Sequence, residues 1–223
     1  MSGDHDDDRH HDHGHGHDHP PGQKHPFQPD LEDSPLGHYQ LLQMAVAELM
    51  IEKGVFTGEE FRRTLEDIDS RTPAAGARVV ARAWIDPAFK ARLLADTNKA
   101  AAELGIDAGT IPILTVENTP DTHNVIVCTL CSCYPRLLIG LPPDWYKSRE
   151  YRSRVVREPR QVLAEFGTAI PDGMAVTVHD STAELRYMVL PMRPAGSEGL
   201  DEAALAELVT RDCMVGVTLP KAP

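Results

Sequence analysis

The sequence predicts an α+β protein, a helical N-terminal segment followed by a layered, mixed α/β domain with short strands. Two observations carry that class. Helical spacing of apolar residues, with start and stop signals, recurs over residues 36–104. Short β-branched runs bounded by turn residues occur only beyond residue 105. A third observation sets the first boundary: "MSGDHDDDRHHDHGHGHDHPPGQKH" has almost no apolar side chain, so it cannot bury enough surface to offset its ordering entropy. The expected organisation is a disordered His/Asp-rich tail and linker over 1–35, a helical segment over 36–104 that packs on a partner or else covers the domain that follows, and an α+β metal-binding catalytic domain over 105–223.

The elements follow in order. "YQLLQMAVAELMIEKG" carries Leu41, Leu42, Ala45, Leu49 and Met50 near helical spacing and stops at Gly54, a C-terminal glycine. "TGEEF" opens a second helix, with Thr57 and Glu60 as a capping box. Thr72-Pro73 opens a third as N-cap and first-turn pair, and Asp86-Pro87 repeats the signal for a helix reaching Gly105. "IPILTVEN" and "HNVIV", separated by "TPDT", read as two strands joined by a turn. "LPPDWYKSREYRSRVVREPRQVLAEFG" is helical with an interruption near Pro159; "MAVTVHD" and "LRYMVLPM" read as another strand pair. "DEAALAELVTRD" reads as a C-terminal helix capped by Asp201.

Composition excludes several function classes. The formal net charge of −12 argues against a nucleic-acid partner, because phosphate backbones need clustered Lys and Arg. No apolar run approaches the length of a membrane span. No basic n-region precedes an apolar stretch, so the cytoplasm is the expected compartment. Thiols stay reduced there, and four cysteines then suggest metal binding or catalysis rather than disulfides.

Three of the four cysteines fall within "VIVCTLCSCYPR", as Cys128, Cys131 and Cys133. Small buried hydrophobes are one reading, against which the clustering speaks. A redox Cys-x-x-Cys is a second, with no role for the third thiol. Zinc is a third, one ligand short of a closed tetrahedral site. The spacing allows a fourth. Cys131 and Cys133 flank a single residue, so the amides of Ser132 and Cys133, deprotonated, supply two nitrogens in a plane with two sulfurs. Cys128 can cap such an ion axially and leave one position open. Five strong donors suit low-spin trivalent cobalt or iron, and an open position makes a Lewis-acid site.

"VCTLCSCYPR", followed by "GLPPDWYKSREYRSRVVREPR", "ELRYMVLPMRPAG" and "ELVTRDCMVGV", resembles the α subunit of nitrile hydratases and the related γ subunit of thiocyanate hydrolase over roughly residues 36–220. The resemblance implies Cys128, Cys131 and Cys133 as thiolate ligands and Ser132 and Cys133 as amide donors. It further implies a sulfinate at Cys131 and a sulfenate at Cys133, the first steps of the thiol oxidation ladder. Thr129 resembles the cobalt-type motif, where the iron type has serine. A β-type partner would complete the pocket, its arginines holding the oxidised sulfurs, and a cobalt-loading activator would serve the site.

Two residues depart from the nitrile pattern. Arg136 stands where nitrile hydratases carry an aromatic residue, as in thiocyanate hydrolase, and a guanidinium suits an anion. The glutamine of iron-type enzymes is absent between Gly105 and Thr119. Tyr134 is a candidate substrate contact or a core tyrosine. Trp145, Tyr146 and Tyr151 read as packing, His123 and His179 as structural, and Cys213 as a buried small residue. Arg152, Arg154, Arg157 and Arg160 read as a solvated basic face or partners of carboxylates. The tail holds eight of the eleven histidines, a composition suited to capturing divalent cobalt or merely to solubility.

The expected function is therefore the metal-carrying α-type subunit of a nitrile hydratase, hydrating a C≡N bond to an amide at non-corrin Co(III), with Fe(III) the lesser choice. The alternative is a thiocyanate hydrolase γ-type subunit, releasing carbonyl sulfide and ammonia. An alternative of another class is non-catalytic cobalt or zinc storage or delivery.

Overall fold

The structure is a computed structural model that describes residues 36–223; the His/Asp-rich tail lies outside them. The described chain divides into two compact units, with the break between Thr57 and Gly58. In the first, α1 (His38–Glu52) ends before Gly54, whose φ of +68° suits glycine, as expected of a C-terminal glycine. No residue of α1 is buried, and Tyr39, Leu41, Leu42, Met44 and Val46 stand at least half exposed.

The second unit opens with α2 (Gly58–Asp69), which also buries nothing and carries Glu59–Arg63 and Arg62–Glu66 pairs one turn apart. α3 (Ala74–Ile85) is the first core helix, with Val79 and Val80 fully buried. Asp86 caps α4 (Pro87–Ala95) by accepting from the amides of Ala88 and Phe89, with Pro87 in the first turn. The expected single helix from Pro87 to Gly105 is in fact two. Asp96 takes an extended conformation and caps α5 (Thr97–Glu103) through the amide of Lys99. A short acidic side chain that can bond its own backbone favours a cap over a helix interior.

The strands lie where the β-branched runs fall: β1 (Ile113–Glu117), β2 (Thr122–Val127), β3 (Ala175–Asp180) and β4 (Arg186–Leu190). Their pairing corrects the expectation of two local pairs. β1 pairs with β4 and β2 with β3, both parallel, giving two two-stranded sheets. A β1–β2 hairpin is blocked at the turn. Asn118 turns its side chain onto the amide of Asn124, 2.7 Å away, occupying a donor that an antiparallel partner would need. The turn is closed instead by an isolated Thr119–Thr122 bridge. Parallel pairs require long crossovers. The one from β2 to β3 contains α6 (Arg136–Ile139), α7 (Asp144–Lys147), α8 (Arg149–Arg154) and α9 (Pro159–Glu165).

The C-terminal helix is also two rather than one. Asp201 caps α10 (Glu202–Glu207), and the extended Thr210 then caps α11 (Arg211–Val215). α10 packs on α3 through Ala81, Leu205 and Leu208. The main core joins α3–α5, β2, β4, α6 and α11, so helices before residue 104 share it with the strands beyond 105. β2 is buried at Val125, Ile126 and Val127, as befits a strand covered on both faces, and it delivers the chain into Cys128.

Candidate metal centre

The cysteine loop begins where β2 ends. Val127 lies opposite Asp180 in the parallel register, and the amide of Ser181 donates to the Val127 carbonyl at 2.7 Å. Cys128 is fully buried, Cys131 and Ser132 are exposed, and Cys133 is intermediate. The loop curls so that the three sulfurs face one another. Cys128 Sγ lies 3.5 Å from Cys131 Sγ, which lies 3.3 Å from Cys133 Sγ. All three fall within 4.8 Å of one another, the only such group of potential metal ligands among the described residues. The amide of Cys131 donates to Cys128 Sγ at 3.3 Å.

Crowding of the thiols separates their acidities. Contact with the Cys133 and then the Cys128 sulfur lowers the pKa of Cys131 to about 7. Burial, followed by the contact with Cys131, raises Cys133 to about 12. Of Cys131 and Cys133 the former ionises more readily, and a cation among the sulfurs would displace the remaining protons. Three soft donors on one short loop, one deep and two facing outward, suit a thiophilic ion approached from solvent.

Two aromatic hydroxyls hold the loop from beneath. Tyr146 donates to the Cys133 carbonyl at 3.0 Å, and Tyr151 donates to the Ile126 carbonyl at 2.7 Å. Both belong to an edge-to-face cluster with Tyr134, Trp145 and Phe166. Their packing role was expected; their hold on carbonyls at either end of the loop was not. Aromatic spacing reads the same whether or not a hydroxyl finds a partner. Tyr134 is 5% exposed, packs edge-on to Tyr146, and has a buried hydroxyl with no hydrogen-bond partner among the described residues.

Cys131, Ser132 and Cys133 line a cavity of about 670 Å³. Arg136, the exposed first residue of α6, lines it too, with Lys147 and Arg186, and among the described residues no carboxylate does. The basic face expected over 152–160 is largely engaged. Arg154 pairs with Glu158 and Glu165, and Arg160 binds carbonyls of Ile170, Pro171 and Met174. His123 is buried as expected, donating from Nε2 to the Gly216 carbonyl at 2.7 Å, with Nδ1 facing Asn118 Nδ2 at 3.4 Å. His179 donates to Asn124 Oδ1 at 2.8 Å, and Cys213 is buried in α11.

Comparison with known proteins bears on this arrangement. The family model described as "Nitrile hydratase, alpha chain" matches residues 38–218. The chain is 50% identical to the cobalt-containing nitrile hydratase subunit alpha of Pseudonocardia thermophila, over 80% of this chain and 89% of that one. It is 43% identical to the thiocyanate hydrolase subunit gamma of Thiobacillus thioparus, over 82% of this chain and 80% of that one. A recombinant thiocyanate hydrolase with partially modified cobalt centres superposes with a TM-score of 0.79 at 42% identity, covering 84% of this chain and 92% of its own.

Proposed function

The chain belongs to the nitrile hydratase alpha-chain family, as a metal-binding enzyme subunit, and on that premise we propose that it hydrates a C≡N bond to an amide at a non-corrin Co(III) centre. The observation that carries this reading is the convergence of three sulfurs, two of which, on Cys131 and Cys133, stand on the wall of a cavity while the third, on Cys128, is buried behind them. Cys128, Cys131 and Cys133 would supply thiolates, and the amides of Ser132 and Cys133 would supply the nitrogens. A trivalent ion bound there provides Lewis acidity, polarising the nitrile nitrogen and making water more acidic.

What the chain itself contributes is position. Cys128 is a rigid donor at the end of a buried strand, and Cys131 offers a thiolate near neutral pH. Tyr146, by holding the Cys133 carbonyl, limits how far the outer half of the loop can swing. Leu130 is 85% exposed beside the exposed Cys131, which supports a β-type partner closing the pocket from that side. The family's alpha chain is one subunit of a heteromeric enzyme.

One observation favours thiocyanate as a second reading. Arg136 and Arg186 line the cavity, and Lys147, which is paired with Asp144 at 2.9 Å, adds little; the two guanidinium groups raise the local concentration of a small anion. Hydration of thiocyanate at the same centre, followed by release of carbonyl sulfide and ammonia, would use the same loop. The test is to purify the chain with its co-expressed partners, determine its metal, and measure kcat/KM for a small nitrile and for thiocyanate. The nitrile reading expects stoichiometric cobalt with sulfur-to-metal absorption bands and preferred nitrile turnover. Preferred thiocyanate turnover selects the second reading. Exchangeable Co(II) or zinc without turnover of either compound would overturn both in favour of storage or delivery.

A further inference from the structure

We propose that Asp180 is a positioning residue for the metal loop, acting through Thr129. The carboxylate at the end of β3 accepts from the Thr129 amide at 2.9 Å through Oδ1 and from the Thr129 hydroxyl at 2.6 Å through Oδ2. Arg152 of α8 donates from Nη1 to the Thr129 carbonyl at 3.3 Å. The amide, hydroxyl and carbonyl of this one residue are thus held by side chains from two elements remote in sequence.

The position of that residue gives the clasp its consequence. Thr129 follows Cys128 directly, and on the other side of Cys128 the Val127 carbonyl is held by the Ser181 amide. Cys128 is therefore pinned from both flanks by consecutive residues of one chain segment, Asp180 and Ser181. The next residues differ: Leu130, Cys131 and Ser132 are all exposed. The loop thus carries one buried donor, Cys128, held on both flanks, an exposed one, Cys131, and a half-buried one, Cys133, whose carbonyl Tyr146 holds. Asp180 adds no ligand atom, since among the described residues the metal-capable group comprises the three cysteines. Its effect is to place Cys128 before an ion arrives, so that binding need not organise that donor. The Thr129 hydroxyl donates to Asp180, so the side chain of this residue bears on Cys128 through the carboxylate.

The inference rests on the metal reading above, and its test separates the two. Wild-type chain, Asp180→Asn, Thr129→Val, Thr129→Ser and the double variant Asp180→Asn/Thr129→Val are co-expressed with partner chains in cobalt medium. Assembly, cobalt content, absorption spectrum and the rate of cobalt loss to EDTA are then measured. Loss of one charge-assisted hydrogen bond corresponds to about 10-fold or more in an equilibrium. Asp180→Asn and Thr129→Val should therefore lose cobalt about 10-fold faster with shifted sulfur-to-metal bands. The double variant should be no worse than the worse single, and Thr129→Ser, which keeps the hydroxyl, should behave as wild type. Wild-type retention and spectrum in an assembled Asp180→Asn protein would overturn the proposal. So would additive effects, or a Thr129→Ser variant as defective as Thr129→Val. A wild-type chain that binds no metal at all would sink the metal reading first, and this inference with it.

Discussion

Cys131 and Cys133 show how much of this chemistry is set residue by residue. Their spacing was legible as allowing a ligand pair, and the loop conformation brings the two sulfurs to 3.3 Å. Cys131→Ser or Cys133→Ser should abolish turnover and most metal retention; stoichiometric cobalt and full activity in either would remove the loop from the mechanism. Arg136 is a finer case. It lies on the cavity wall, but its effect depends on what occupies the cavity. If its charge holds an anion, Arg136→Trp should lower kcat/KM for thiocyanate by about 10- to 150-fold, the equivalent of one charge-assisted hydrogen bond of about 1.5–3 kcal/mol. Turnover of a small nitrile should be spared. An unchanged ratio of the two values in an assembled, cobalt-loaded variant would exclude that role. Tyr146 and Tyr151 were not legible in this way, because only the tertiary structure brings carbonyls under their hydroxyls.

At the scale of elements, the junction of α11 with β2 is the tightest contact supporting the loop. Gly216 ends α11 with φ +89°, and a Cβ added there would lie 2.1 Å from the Asn124 carbonyl oxygen. Gly216→Ala combines a left-handed penalty with overpacking, together about 2–5 kcal/mol, read as a lower denaturant midpoint. His123 ties the same two elements together. Its Nε2–H donates to Gly216 and its Nδ1 accepts from Asn118, which leaves no place for a second proton. Burial lowers its pKa from the ordinary 6.5, outweighing the hydrogen bond to Gly216. The sign follows: as pH falls below 6.5 the unfolded chain takes up a proton that the folded chain resists. Stability is therefore lost until the lower folded pKa is passed. His123→Gln should flatten that acid limb in chemical unfolding, with His179, lowered by burial too, supplying what remains. The helix breaks at Asp96 and Thr210 belong to this scale as well. Apolar periodicity ran through both, while a capping side chain stopped the helix.

For the whole molecule, two features of the N-terminal end matter. α1 presents Tyr39, Leu41, Leu42, Met44 and Val46 without burying any of them, which supports the proposal that α1 packs on a partner chain, whereas α3–α5 of the same helical segment pack into this chain's own core. Residues 1–25 carry eight of the eleven histidines and almost no apolar side chain. Their removal should leave assembly and turnover of the purified holoenzyme unchanged while reducing cobalt loading when the metal is limiting. Cobalt content titrated against cobalt in the growth medium measures this, and loss of assembly on truncation would contradict it. Among the described residues no helix is long and apolar enough to cross a membrane.

The α+β class, most element positions, the clustering of three thiols and the family resemblance could all be read from consecutive residues, because each depends on short-range order. Helical spacing, caps, β-branched runs and a loop of six residues are all written in consecutive side chains. Only the tertiary structure decided that the strands pair in parallel across long crossovers rather than with their neighbours. It alone decided that Tyr146, Tyr151 and Asp180 hold the metal loop. Asp180 and Thr129 stand 51 residues apart, and a hydrogen bond across that distance exists only after β3 is laid beside β2 in one register. A one-residue slip in that register would turn the carboxylate to the other face of the sheet, and nothing local to either residue specifies which register is taken.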